Sequence, residues 1–357
     1  MTNISDRFNP EMLILARESR GMTQSQLASE VPLKQGSVSK IEAGINTPTS
    51  DTLFRISEVL KYPIAFFNQS DRVYGFNSAV FFHRKKQALS DKVLRQLHSF
   101  MNLARMRVSR LLRGIELKPD FCFQRIEVAD YRSPEEVAQI VRSSWMIPMG
   151  PLRNITESIE NAGGVVVQMD FGTRQCDAIS EWIPGYPPIF LVNSDASIPG
   201  DRLRLTLAHE VAHVILHRAP NPDMESEANK FAAELLMPRK QIKASLYNLT
   251  LAKLMQLKRI WKVSMAALIQ RAFDLKTITD SQRKYLYINM AKKGYRMQEP
   301  VEVEVAVERS ILLKRLVKSH VDELGYTSSD IKRLLLIEQE DELLSVYMGG
   351  GTLRLVG

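Results

Sequence analysis

A mainly α-helical chain with one small β-sheet, an α+β protein in more than one domain, is what this sequence predicts. Three observations carry the prediction. Segments free of Gly and Pro, with apolar residues at helical spacing, recur along most of the chain. Strand-like runs are confined to a short central stretch, where glycines and paired prolines separate them. The 357 residues, 45% hydrophobic and 25% charged, suffice for two or three domains with real cores.

Residues 10–67 read as five short helices. The first runs from Pro10 to Arg20 and is closed by Gly21. Thr23 caps a second helix through Val31, with Gln26 completing a capping box. Pro32 and Leu33 form a tight turn, and a third helix runs from Lys34 to Ala43 before Gly44. A fourth starts at Thr49 or Ser50 and ends at Leu60, and Pro63 opens the fifth. Leu13, Leu27, Ala28, Val38, Ile41, Leu53, Ile56 and Leu60 are the candidate core. A small bundle with a tight turn between its second and third helices is a helix-turn-helix. The stretches Met22 to Ala28 and Gly36 to Gly44 resemble the XRE (lambda-repressor-like) DNA-binding family. In that geometry the third helix enters the major groove. Lys34, Gln35, Ser37 and Lys40 fall on its exposed side; Gln35 suits adenine and Lys40 guanine. Gln24, opening the second helix, is placed for a phosphate contact. A double-stranded DNA operator is the expected partner, and a net charge of +8 agrees with it. Docking onto protein is the other use of such a bundle.

Asn68 to Phe82 is loop-like, and Ala88 to Arg113 a long amphipathic helix. Lys92, Arg95, Arg105, Arg107, Arg110 and Arg113 give that helix a basic face. Such a face either steers DNA phosphates or is the solvated side of a connecting or dimerising helix, so a homodimer is open. Ser133, Pro134 and Glu136 start the next helix with a capping box, and another covers Leu152 to Ala162. Val165–Met169, Ala178–Ile183 and Ile189–Val192 read as strands, a sheet to which an extended peptide can add at an edge.

The chemistry lies in Leu207 to His217, which holds H-E-x-x-H inside a helical pattern. His209 and His213 stand one turn apart on the same side. Two imidazoles so stacked can grip one Zn2+ at about 2.0–2.1 Å each. Glu210 is rotated by roughly a quarter turn, as befits a carboxylate that takes a proton from activated water. A catalytic zinc needs three protein ligands and a vacancy. The second helical segment, Met224 to Met237, supplies the third. Glu225 shares a stripe with Ala228, Asn229, Ala232 and Leu236, so it points inward, and an inward carboxylate needs a partner. Glu227 is the second choice, Asn229 is placed to hydrogen-bond a ligand histidine, and Glu234 reads as solvated. Arg202 and Arg204 are expected to pair with acids, and His217 to be an ordinary helix-end residue.

Thr206–His217 and Glu225–Pro238 resemble the ImmA/IrrE family of zinc peptidases, both halves appearing in order. The resemblance implies a zincin-like metallopeptidase with His209, His213 and Glu225 as ligands and Glu210 as catalytic base. It also implies a helix-turn-helix repressor as the typical substrate. The expected division is a helix-turn-helix domain over about 1–68, linker and basic helix over about 69–119, peptidase over about 120–245 and a helical C-terminal region over about 246–357. In that last region Val303–Leu324 reads as a helix, Thr327 starts another, and Gly349–Gly351 marks a tail. No apolar run approaches the roughly 20 residues of a membrane span. The first residues lack a signal pattern, and Cys122 and Cys176 make no disulfide framework, so the expectation is a cytoplasmic protein. The function expected is a DNA-binding regulator whose zinc endopeptidase cleaves itself or a repressor. The alternative is a regulator with a non-catalytic zinc or sensor domain.

Overall fold

Side-chain caps start the N-terminal helices. Asn9 accepts from the Glu11 amide ahead of α1 (Pro10–Ser19). Thr23 and Gln26 close a reciprocal box on α2 (Gln24–Glu30), and Thr49 caps α4 (Ser50–Leu60) after α3 (Gln35–Glu42). Gly21 takes φ +62° between α1 and α2, a left-handed conformation that costs a glycine nothing. With α5 (Ile64–Phe67), these helices bury every core residue named above, together with Tyr62, Phe66 and Phe67.

The computed structural model describes residues 8–75, 89–126, 133–338 and 346. The chain divides into two compact units, one of Met1–Leu117 with Ile311–Gly357, the other of Lys118–Ser310. Part of the expected loop, residues 76–82, and the expected tail at 349–351 lie outside the described residues.

In the first unit, α6 (Asp91–Leu111) departs from its expected role. It lends Leu103 and Met106 to the helix-turn-helix core. Its basic face is only partly solvated, because Arg105, Arg107 and Arg110 are buried. Arg105 lies 4.2 Å over the Tyr74 ring, and Arg110 pairs with Asp71 and bonds Gln69. Arg107 donates to the Leu335 carbonyl. An arginine's apolar stem suits burial, and its planar fork finds carbonyls and ring faces that periodicity cannot reveal. Lys92, Arg95 and Arg113 remain exposed.

The second unit begins its helices with α7 (Pro134–Ser144), started by the Ser133–Glu136 box, and α8 (Ile155–Asn161). Strands β1 (Val165–Met169), β2 (Ala178–Glu181) and β3 (Ile189–Asn193) form one sheet in the order β1-β3-β2. β1 runs parallel to β3 and β2 antiparallel, with Val167 opposite Leu191 and Ile179 opposite the same residue. All three strands are almost wholly buried. β2 packs on α9 (Gly200–Leu216), which packs on α10 (Met224–Leu236), and α10 lies against α7. The small residues Ala228 and Ala232, both buried, permit the α9–α10 approach.

After α11 (Arg239–Ile242), helices α12 (Leu251–Trp261), α13 (Met265–Asp274) and α14 (Asp280–Lys292) extend the same core. A short turn at Val301–Val303 follows, then extended chain to Ser310 rather than the helix expected from Val303. Valine recurs at 301, 303, 305 and 307, a period-two pattern that gives no apolar stripe at helical spacing. Glu308 takes the Thr156 amide at 3.0 Å and pairs with the buried Arg204; Ser310 bonds Glu160 at 2.6 Å. At Gly200 a Cβ would lie 2.3 Å from the Val305 carbonyl oxygen, so this strap passes where only glycine leaves room.

Helices α15 (Leu312–Asp322) and α16 (Ser328–Leu335, boxed by Thr327 and Asp330) pack on α6 in the first unit. Residues 246–357 are thus shared between the two units. Among the described residues no helix is long and apolar enough to cross a membrane.

Candidate metal centre and helix-turn-helix surface

Helix α9 is free of glycine and proline after its first residue and carries Asp201 in its first turn, where the helix dipole favours an acid. Its histidines project on one side. The Nε2 atoms of His209 and His213 lie 2.9 Å apart. From α10, Glu225 brings Oε2 to 3.3 Å from His209 Nε2 and Oε1 to 3.1 Å from His213 Nε2. The ligand-type atoms of these three residues all lie within 4.8 Å of one another, the group of that kind found among the described residues.

Hydrogen bonds orient both imidazoles. His209 Nδ1–H donates to Asn229 Oδ1 at 3.1 Å, so a neutral His209 ring has its lone pair on Nε2. His213 uses Nδ1 toward His217 Nδ1 at 3.0 Å. Two imidazole lone pairs and a carboxylate then converge on one point, an arrangement that a cation relieves. Ligand atoms around tetrahedral zinc are roughly 3.3 Å apart given its bond lengths, so the observed 2.9–3.3 Å spacings fit that ion closely. Burial works against charge on Glu225, but the adjoining His209 and His213 imidazoles outweigh it and hold the carboxyl far below its usual range. Burial also disfavours a cationic His209, yet Glu225 and Glu210 together raise its pKa.

Access to the cluster is one-sided. The His213 side chain is 3% exposed, against 18% for His209 and 27% for Glu225. Glu210 is 1% exposed, and its Oε2 accepts from Ser180 Oγ of β2 at 2.8 Å. Sequence reasoning missed Ser180, because nothing local marks a serine on a distant strand. It also read His217 as an ordinary helix-end residue. His217 is buried, bridging His213 and Glu227, whose Oε2 lies 3.0 Å from His217 Nε2. The four-residue step from His213, continuing the stripe, was the available signal. Glu227, the second choice of ligand, thus serves His217 and stands outside the three-residue cluster. Glu234 is not solvated: it is 2% exposed and paired with the buried Arg271, with Gln139 donating at 3.0 Å. Arg202 pairs with Asp177 at 2.5 Å, as structural pairing predicts.

On the helix-turn-helix, Lys34, Gln35 and Lys40 are exposed and Ser37 half-buried. Gln35 is not a loose side chain. Its Nε2 donates to Gln24 Oε1 at 2.9 Å, and Gln24 Nε2 donates to Glu42 at 2.7 Å. Glu42 is in turn held by Arg17 Nε at 2.6 Å. Gln24 therefore orients Gln35, with a second hydrogen on its amide nitrogen still available to a partner.

One unit carries the helix-turn-helix bundle and the other the three-residue cluster. Residues 13–67 match the family model described as Helix-turn-helix, and residues 159–273 the model described as IrrE N-terminal-like domain. The two matches support a fusion of an XRE-type helix-turn-helix with an ImmA/IrrE-like domain. All the DNA-facing candidates fall within the first match, and the cluster with Glu210, His217 and Glu227 within the second. No curated protein matches the chain significantly.

Proposed function

We propose that this protein is a DNA-binding transcriptional regulator whose peptidase domain holds zinc through His209, His213 and Glu225. In this reading it hydrolyses a repressor-type protein, another chain or itself, and so relieves repression. The observation that carries the reading is the convergence of two imidazole Nε2 atoms and one carboxylate within 4.8 Å, with Glu210 on the helix of the two histidines. A structural zinc site is closed by four protein ligands, whereas a catalytic site has three and a vacancy. Three cluster here among the described residues, which favours catalysis over a sensor remnant.

When bound, zinc supplies Lewis acidity toward the attacking water and the scissile carbonyl. Glu210 takes the water's proton on its carboxylate and delivers it to the leaving amine. Ser180 holds that carboxylate, and substrate approaches from the more exposed side of His209 and Glu225. Asn229 keeps His209 in the ligating tautomer.

On the operator, α3 lies in the major groove with Gln35 toward adenine and Lys40 toward guanine acceptors. Lys34 and Ser37 flank them, and Gln24 adds a phosphate contact. Self-cleavage between residues 68 and 80 is the weaker version of the substrate. Leu103 and Met106 of α6 belong to the helix-turn-helix core, and Asp71 and Tyr74 are bound to α6, so a cut there leaves the head held by packing. A target in trans fits better.

The test is intact-mass spectrometry of the zinc-loaded chain, alone and mixed with purified helix-turn-helix repressor proteins, against Glu210→Gln. New fragments that vanish in the variant support the proposal. Unchanged masses in every mixture count against it.

A further inference from the structure

His217 and Glu227 lie outside the three-ligand cluster, yet both are joined to it in a line. Glu227 Oε2 is 3.0 Å from His217 Nε2, and His217 Nδ1 is 3.0 Å from His213 Nδ1. Asn221 Nδ2 donates to the same Glu227 oxygen at 3.4 Å. The His217 side chain is 1% exposed and that of His213 3%, so water does not replace these contacts.

The line has only one polarity compatible with a metal. An ionised carboxylate accepts and never donates, so His217 carries its proton on Nε2 and gives it to Glu227. A neutral His217 is then bare at Nδ1 and must accept from His213 Nδ1–H. That leaves His213 bare at Nε2, the atom beside His209 and Glu225. In the opposite polarity His217 points a proton at His213 Nδ1, and His213 carries one on Nε2, aimed into the cluster where a cation belongs.

We infer that Glu227, acting through His217, fixes the proton of His213 on Nδ1 and makes Nε2 a metal ligand; both are positioning residues for the zinc site. The inference rests on the zinc reading above. It extends the usual carboxylate–histidine–zinc arrangement by one imidazole, and so places the anchoring carboxylate on α10, the helix that also supplies Glu225. One short stretch of α10 thereby serves the metal from two directions, directly through Glu225 and through the two imidazoles from Glu227.

The experiment is a chelator-competition titration of zinc on the full chain, comparing wild type with His217→Gln, His217→Leu and Glu227→Gln. Gln and Leu fill nearly the same volume, but only the Gln amide oxygen can accept from His213 Nδ1–H. Loss of such an outer partner typically costs about 10–100-fold in metal affinity. His217→Leu is expected to lose that much, His217→Gln to stay within a few-fold of wild type, and Glu227→Gln to fall between. Equal affinity in Leu and Gln variants, whether high or low, overturns the inference, because a packing role does not distinguish them. A second measurement needs no variant. With 15N-histidine in the zinc-loaded wild type, two-bond couplings should show Nδ1–H at His213 and Nε2–H at His217, and the reverse pattern overturns the inference. If zinc binding depends on His209 and Glu225 but not on the His217 substitutions, this inference alone fails. If the wild type binds no zinc, the zinc reading fails with it.

Discussion

Ser180 Oγ donates to Glu210 Oε2 across 2.8 Å, tying an internal position of β2 to an acid in the second half of α9. Both residues are almost fully buried. A hydrogen bond to a charged group is worth about 1.5–3 kcal/mol, and here it orients the carboxylate proposed as the general base. Ser180→Ala is expected to lower kcat for peptide hydrolysis roughly tenfold or more, with KM and zinc content little changed. Steady-state kinetics beside metal analysis checks this. An unaltered kcat would show that Glu210 is held by other means.

Glu210→Gln is expected to lower cleavage by about 10²–10⁴-fold, the range of a general base. The amide is isosteric and still accepts from Ser180. Zinc content and operator binding should therefore match wild type. Measuring all three on one preparation separates loss of chemistry from loss of fold.

Gln35→Ala is expected to weaken operator binding and relax preference at one base pair by about 1–3 kcal/mol. Gln24→Ala should reproduce part of that relaxation, because Gln24 holds the Gln35 amide at 2.9 Å and is itself fixed by Glu42. Fluorescence anisotropy with single-base operator variants reads both effects. Weakening that is uniform across sequences would instead assign Gln35 to the phosphate backbone.

Lys258 is buried between Asp201 at 2.5 Å and Glu299 at 2.7 Å. Burial opposes its charge, but bonds to the two acids outweigh it and raise its pKa. A lysine raised in the fold stabilises it fully below the unfolded pKa, and that contribution is lost as pH rises through the folded value. Lys258→Met leaves the buried Asp201 carboxylate without its cation and is expected to cost about 3–5 kcal/mol near neutral pH. The deficit should shrink as pH rises through the raised pKa of Lys258, where the wild type loses the same charge. Denaturant unfolding of the Lys118–Ser310 unit within the full chain at two pH values tests the sign.

What the sequence disclosed follows from how local each signal is. Thr23 with Gln26, and Ser133 with Glu136, announce helix starts because both partners lie within one turn. His209 and His213 are legible for the same reason. Glu225 is legible because small apolar neighbours mark the face it shares. Features made by distant partners were hidden. Glu234 looks solvated until Arg271 meets it in the core. Ser180 gains its role from Glu210 on another element. Arg105, Arg107 and Arg110 look like a basic face until Tyr74, Leu335 and Asp71 enclose them.

The zinc content of the purified full chain, compared with that of Glu225→Ala, tests the central claim most directly. Inductively coupled plasma mass spectrometry should find close to one zinc per wild-type chain and little in the variant, with helical content preserved. Wild-type chain without zinc, or a variant that retains it, would contradict a site built from His209, His213 and Glu225.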